Sequence, residues 1–431
     1  MSAAVVTPVF VESSDALPIV SVLIAFRSGS AFDPPGREGL ARIAARMIRR
    51  GAEGFPAQVI EETIDSLGGE LAADASPSAL TVHFEVIRRN LEPFVDLVAA
   101  LLRAPTFDEV ELGRLLRESE AELIESRDSD RGLCSRAFRR TLFADHLYGR
   151  RVSGSIASLR SITRDDVAAF YRRHLARANA VIAISGDIDE AEGQALSERL
   201  LAGLPLGEPI ADPVPPPARK PGRHLVFVDK ADRTQTQMVI GGLGTDANDP
   251  DHIELTVANN VFGGTFTSRL MQEIRAKRGW SYGASSRVGF DRQRDAFTMW
   301  TAPKATDAAA CLALELEMLH TWLDVGVTAE ELTFVQQYLI RSHAFEIDTA
   351  RKRVHQRLES ELFSLPAGYH EKYLERVAAV TVESANAAVR ARISVTDLVI
   401  GVVGTHAEIG EAIAKAIPNL ASVTVAPYDL E

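Results

Sequence analysis

The strongest constraint on this chain is that its two halves are written to the same plan. A Thr, a helical pattern, an apolar strand pattern and a Gly turn run through 163–186, and the same series returns through 381–404; Thr163 and Thr381 lie 218 positions apart, as do Gly186 and Gly404. Earlier, PTFDEVEL at 105–112 is echoed by GVTAEEL at 326–332, where Asp108 and Thr328 stand as N-caps of long helices at a separation of 220. Each half also opens with a strand pattern, 19–26 and 237–243, followed by a turn and a helix. Such constant spacing leaves little room for insertions, so the chain is predicted to fold as two copies of one unit. Each copy reads as α+β, an antiparallel-rich sheet under a layer of amphipathic helices. The proline-rich stretch PLGEPIADPVPPPARKPG separates them as an extended linker. The expected boundaries are 1–204, linker 205–222, and 223–431.

Composition narrows the partners. With 431 residues, 46% hydrophobic, the chain can bury several cores, and a net charge of −12 argues against nucleic acid or an anionic membrane, which need clustered Lys and Arg. Cys134 and Cys311 are the two cysteines, too few for a disulfide framework or a cysteine metal site, and read as buried thiols. No apolar run approaches the roughly 20 residues of a membrane span. No export signal follows Met1, so the expected compartment is the cytoplasm if Met1 is the native start, and the periplasm if the numbering begins after processing.

Several stretches together resemble one family. In order they are GLARIAARMIRRGAEG, ETIDSLGGELAADASPSALTVHFEVI, LLRAPTFDEVELGRLLRESEAELIES, HLYGRRVSGSIASLRSIT and SRLMQEIRAKRGWSYGASS. They are similar to the pitrilysin-type, or inverted zincin, metallopeptidases, above all to the subfamily that includes mitochondrial processing peptidase and its bacterial relatives. The resemblance implies two α+β domains per chain, forming half of a clamshell that a second such chain closes around an unfolded peptide.

It also implies where a metal would sit. Catalytic members carry His-x-x-Glu-His on a helix, two imidazoles for zinc and a Glu that activates water, with a further Glu from a later helix. Here the helix reads Arg42, Ile43, Ala44, Ala45, Arg46, and Glu122 falls at the later position. A guanidinium has no lone pair to donate and Ala45 can take no proton. None of the ten His forms a His-x-x-x-His pair. The expectation is therefore a chain that binds no metal and is inactive alone. Spacing by itself permits a plainer reading, in which Leu40, Ile43, Ala44, Met47 and Ile48 make an apolar stripe and Arg42, Arg46 and Arg49 a solvated basic face. The sharper one pairs Glu122 with Arg42 or Arg46 in the vacated site.

The second half keeps what the resemblance assigns to substrate binding. Arg275 ends a helix that begins near Ser268, with Leu270, Met271 and Ile274 inward and Gly279 as its stop, and a strand is expected from Trp280 through Tyr282 and Ala284. In the family the corresponding Arg and Tyr reach the opposing domain's zinc and hydrogen-bond substrate carbonyls and the oxyanion. Without the resemblance they read as a helix-end cation and a half-buried strand residue. Gly263 and Gly264 read as a turn, and the alternating strand at 79–87 as either a sheet edge open to an extended peptide or an internal strand.

Two functions from different classes follow. In one, the chain is the non-catalytic, substrate-binding subunit of a heterodimeric zinc metallopeptidase, giving Arg275 and Tyr282 to a homologous partner that holds the zinc and hydrolyses unfolded peptides. In the other it is a scaffold or receptor-like relative outside catalysis. Retention of both donors favours the first.

Overall fold

The computed structural model describes residues 6–211 and 214–429; positions 212 and 213 of the expected linker lie outside the described residues. The fold is α+β, with two principal sheets. The first is five-stranded, in spatial order Val9–Ser13, Ala180–Gly186, Ile19–Phe26, Leu80–Ile87 and Gly69–Ala75. Its first pair is parallel and the rest antiparallel. The second is six-stranded. From its corresponding edge it runs Leu420–Pro427, Arg223–Asp229, Leu398–Gly404, Gln237–Leu243, Ala296–Thr301 and Ala284–Val288. Apart from the additional strand Leu420–Pro427, the order is that of the first sheet, and Arg223–Asp229 again runs parallel to its neighbour Leu398–Gly404. The duplication in sequence is thus a duplication of topology.

The caps fall where the paired motifs place them. Thr163 starts helix Arg164–His174 and Thr381 starts Val382–Arg392, each in a reciprocal capping box. Asp108 accepts the N–H groups of Val110 and Glu111 at 2.8 and 3.1 Å, and Thr328 exchanges hydrogen bonds with Glu331. These caps satisfy helix-end donors whatever lies elsewhere in the chain, which makes them readable locally.

The compact units are not the two contiguous stretches that the linker suggested. Segment Phe345–Pro366, from the second half, belongs with the first sheet, and Ile124–Gly149, from the first half, belongs with the second. Helix Ala350–Phe363 lays Val354, Leu358 and Leu362 on Ala25, Val181 and Ala183. In the other unit helix Asp130–Phe143 packs so closely that a Cβ on Gly401 would stand 3.3 Å from the Cys134 carbonyl oxygen and from the Phe138 Cβ. Lys230, its side chain 7% exposed, clasps the start of that helix by donating to Asp130 at 2.7 Å and to the Arg127 carbonyl at 2.8 Å. The exchanged helices are themselves a repeat, N-capped by Ser129 and Thr349. Because the exchanged helix covers the second face of the first sheet, Ala180–Gly186 is buried on both sides.

Strand Leu80–Ile87 pairs on both sides, with Ile19–Phe26 and Gly69–Ala75, so the alternating stretch at 79–87 is internal and offers no edge. Its alternation comes from one face packed on helices, not from an open edge. The edge beyond it is Gly69–Ala75.

Candidate functional site

In the first unit, Asp33 fixes the start of helix Leu40–Met47 by accepting the N–H groups of Gly39 at 2.8 Å and Ala41 at 2.7 Å, and burial pushes its carboxyl up to about 7. Leu40, Ile43, Ala44, Met47 and Ile48 are buried as their spacing requires. Arg42 and Arg46, one turn apart, both reach Glu122 on helix Glu109–Glu125. Arg46 binds it in bidentate fashion, at 2.8 and 3.1 Å, and Arg42 donates to it at 3.0 Å. Arg42 also meets Asp74 at 3.1 Å, and Arg46 the Ser119 hydroxyl at 3.3 Å. Burial opposes ionisation of Glu122, but the hydrogen bonds and charges of Arg46 and Arg42 together hold its carboxyl below the ordinary glutamate range. Arg49 is engaged as well, by Glu61 and the Leu71 carbonyl. Of the two readings of this face, the solvated one and the pairing with Glu122, the structure has the second, with both arginines on the one carboxylate.

A metal does not fit this arrangement. The two positions that the resemblance gives to zinc ligands hold guanidinium groups without lone pairs, the one it gives to the base holds the buried methyl of Ala45, and among the described residues no three His, Cys, Asp or Glu side chains gather as a ligand set. Since the three side chains are 21–40% exposed, the net stabilisation is modest. Glu122→Gln is expected to cost about 1 kcal/mol, less at high salt, as two arginines lose a shared counter-charge. Thermal melts at low and high salt check this, and unchanged melting at low salt would rule the pairing out as a stabilising element.

The second unit carries Arg275 and Tyr282. Leu270, Met271 and Ile274 are buried as expected, and Gly279, at φ +66°, ends the helix with Trp280 N–H donating to the Ile274 carbonyl at 3.0 Å. Two corrections concern the backbone. The strand begins at Ala284, so Tyr282 lies in a bend before it, where the ring is 84% exposed. Gly263 and Gly264 close a π-helical segment, Asn260–Gly264, and are not a simple turn. A second π-helical segment, Met271–Lys277, holds Arg275. The extra residue that a π turn inserts has no period or motif by which sequence reading could find it.

Arg275 and Tyr282 do come together. The Arg275 Cζ lies 4.6 Å from the centroid of the Tyr282 ring and 4.8 Å from that of Phe266, over both faces. Phe266, 71% exposed on the loop between the π-helical segments, was missed; its position beside the paired glycines was the available signal. Arg275 has no carboxylate or hydrogen-bond partner among the described residues, so its planar array of donors is available to a ligand. On the same loop Ser268 is buried, its hydroxyl without a hydrogen-bond partner among the described residues. It lines a cavity of about 570 Å³ with apolar Leu314, Met318 and Phe334, the carboxylates of Glu317 and Glu330, and the ion pair of Arg269 with Glu331.

Residues 9–153 match the family described as Insulinase (Peptidase family M16), and residues 161–339 the family described as Peptidase M16 inactive domain. A relative in Helicobacter pylori, named non-peptidase homolog YmxG, is 21% identical over 92% of this chain and 91% of its own length. An uncharacterized zinc protease of Mycobacterium leprae is 28% identical over 81% of this chain and 79% of its own. Among solved structures, a peptidase M16 inactive domain from Pseudomonas fluorescens covers 99% of this chain and 98% of its own, with 25% identity and a TM-score of 0.86. A protease from Helicobacter pylori covers 91% and 96%, at 16% identity and a TM-score of 0.81, and so shares the fold. With the paired topology and the matches over residues 9–153 and 161–339 in agreement, the chain belongs to peptidase family M16.

Proposed function

We propose that this chain is the non-catalytic, substrate-binding subunit of a two-chain zinc metallopeptidase. A homologous partner with an intact zinc helix would perform the hydrolysis, and Arg275 and Tyr282 would hydrogen-bond the unfolded peptide and the oxyanion formed as water attacks. The observation that carries this reading is an asymmetry. Arg42 and Arg46 are paired with Glu122 and Asp74 where a metal would be, whereas Arg275 is left without an anionic partner among the described residues beside an exposed phenol. Buried or half-buried cations are ordinarily paired, and a lone oriented guanidinium is a donor awaiting negative charge. The exposed edge Gly69–Ala75 supports peptide capture by strand addition in the first unit, in place of the internal strand at 79–87.

The test is reconstitution. An unfolded peptide is incubated with this chain, with a zinc-bearing M16 homologue from the same genome, and with both, and cleavage and complex formation are followed together. Cleavage that requires the mixture and follows the one-to-one complex is the expected outcome. A homologue that cleaves equally well without this chain would leave only the scaffold reading.

A further inference from the structure

We infer that Phe266 is a positioning residue for Arg275, one of two aromatic walls that set where the guanidinium presents its N–H groups. Its consequence for cleavage rests on the subunit reading above; its geometry does not. A phenylalanine 71% exposed on a loop gains little from the hydrophobic effect, and the side chain that its ring faces is Arg275, with Cζ 4.8 Å from the centroid. Arg275, lacking an ion-pair partner among the described residues, would otherwise spread over many rotamers. An aromatic face under a half-buried cation favours the held orientation by at least roughly two- to fivefold.

The two walls are tied to one another through the backbone. Gly263 lies so near the strand after Tyr282 that a Cβ on it would stand 2.6 Å from the Ser286 backbone nitrogen. Asn259 fastens the same place, accepting from the Ser286 hydroxyl at 2.6 Å and donating to the Ser286 carbonyl at 3.2 Å. The segment that leads to Phe266 and the strand that follows Tyr282 are therefore joined, and the π-helical turn Met271–Lys277 carries Arg275 to a place over both rings. Phe266 thus acts through Arg275 and needs no contact with substrate.

Two measurements decide this. In the full-length chain alone, the Arg275 Nε–H signal, assigned by its loss in Arg275→Ala, is expected to show faster side-chain motion in Phe266→Ala and Phe266→Leu, and wild-type order in Phe266→Tyr. In the reconstituted pair, Phe266→Ala and Phe266→Leu are expected to lower kcat/KM by about two- to fivefold, Phe266→Tyr to restore it, and Phe266→Ala to add no loss to Arg275→Ala. Unchanged order in Phe266→Ala, or a full additional loss on top of Arg275→Ala, overturns the inference. Should Arg275→Ala leave cleavage untouched, it is the subunit reading that falls, while the order measurement still decides the role of Phe266.

Discussion

Arg275→Ala is expected to lower kcat/KM of the reconstituted pair by about 10²- to 10³-fold, the usual cost of removing one preorganised donor to a developing oxyanion. That corresponds to roughly 3–4 kcal/mol of transition-state stabilisation. Arg275→Lys should recover little, because an ammonium presents a point charge where the guanidinium presents a planar fork. Tyr282→Phe separates two contributions of one side chain. It keeps the ring over the guanidinium, 4.6 Å from Cζ, and deletes only the hydroxyl, so a loss in this variant reports donation and not positioning. Neither substitution should move the melting temperature appreciably, since Arg275 has no ion-pair partner among the described residues and the Tyr282 ring is 84% exposed. Steady-state kinetics of the mixture, with complex formation measured alongside, checks each point. Variants as active as wild type would remove this chain from the chemistry.

A second large effect is expected far from that site. Glu315, on helix Ala308–Val325, is fully buried; burial pushes its carboxyl up to about 8, against the hydrogen bond from the Thr301 hydroxyl at 3.0 Å. Its other oxygen has no partner among the described residues. In the unfolded chain the same group ionises near 4.5. Between pH 4.5 and 8 the unfolded state therefore releases a proton that the folded state retains, and stability falls as pH rises through that window, levelling off above it. Over the stretch to pH 7 the loss is about 3 kcal/mol at 1.36 kcal/mol per unit. Glu315→Gln accepts the Thr301 hydrogen bond in the same shape and cannot ionise. It is expected to remove this contribution and to stabilise the protein by about 2–3 kcal/mol at pH 7, with little difference near pH 4.5. Melting of both proteins from pH 4.5 to 8.5 checks it, and parallel curves would show that Glu315 does not hold its proton in the fold. His174 and His252, pushed down to about 4 by burial, act in the opposite sense: their contribution is present above 6.5 and is lost as pH falls toward 4.

These two sites differ in how far they could be read from residues alone. Arg275 and Tyr282 were found because the stretch around them resembles that of a known family; the helix stop at Gly279 agrees with the placement but by itself leaves a helix-end cation and a half-buried strand residue. Glu315 was not found, because one Glu in a helix rich in Ala and Leu looks like any exposed residue until the packing of Thr301 and Cys311 around it is known. Phe266 escaped for a related reason: its partner is brought to it by a π-helical turn, and no spacing rule anticipates one.

What the sequence by itself determined was whatever depends on chemistry within a few residues or on an internal copy. The Thr163 and Thr381 caps, the buried stripe of helix Leu40–Met47, the duplication of one α+β unit, and the inability of Arg42 and Arg46 to donate a lone pair to a metal all belong there, since a capping bond, a helical period, an internal copy and a missing lone pair can be read without knowing which distant parts of the chain meet. Only the tertiary structure decided which helix covers which sheet, which strand is an edge, and which charges meet. Helix Asp130–Phe143 is held on its sheet by the close approach at Gly401, and helix Ala350–Phe363 on the other by the contacts of Val354, Leu358 and Leu362, and these pairings of residues far apart in the chain are encoded by no local pattern.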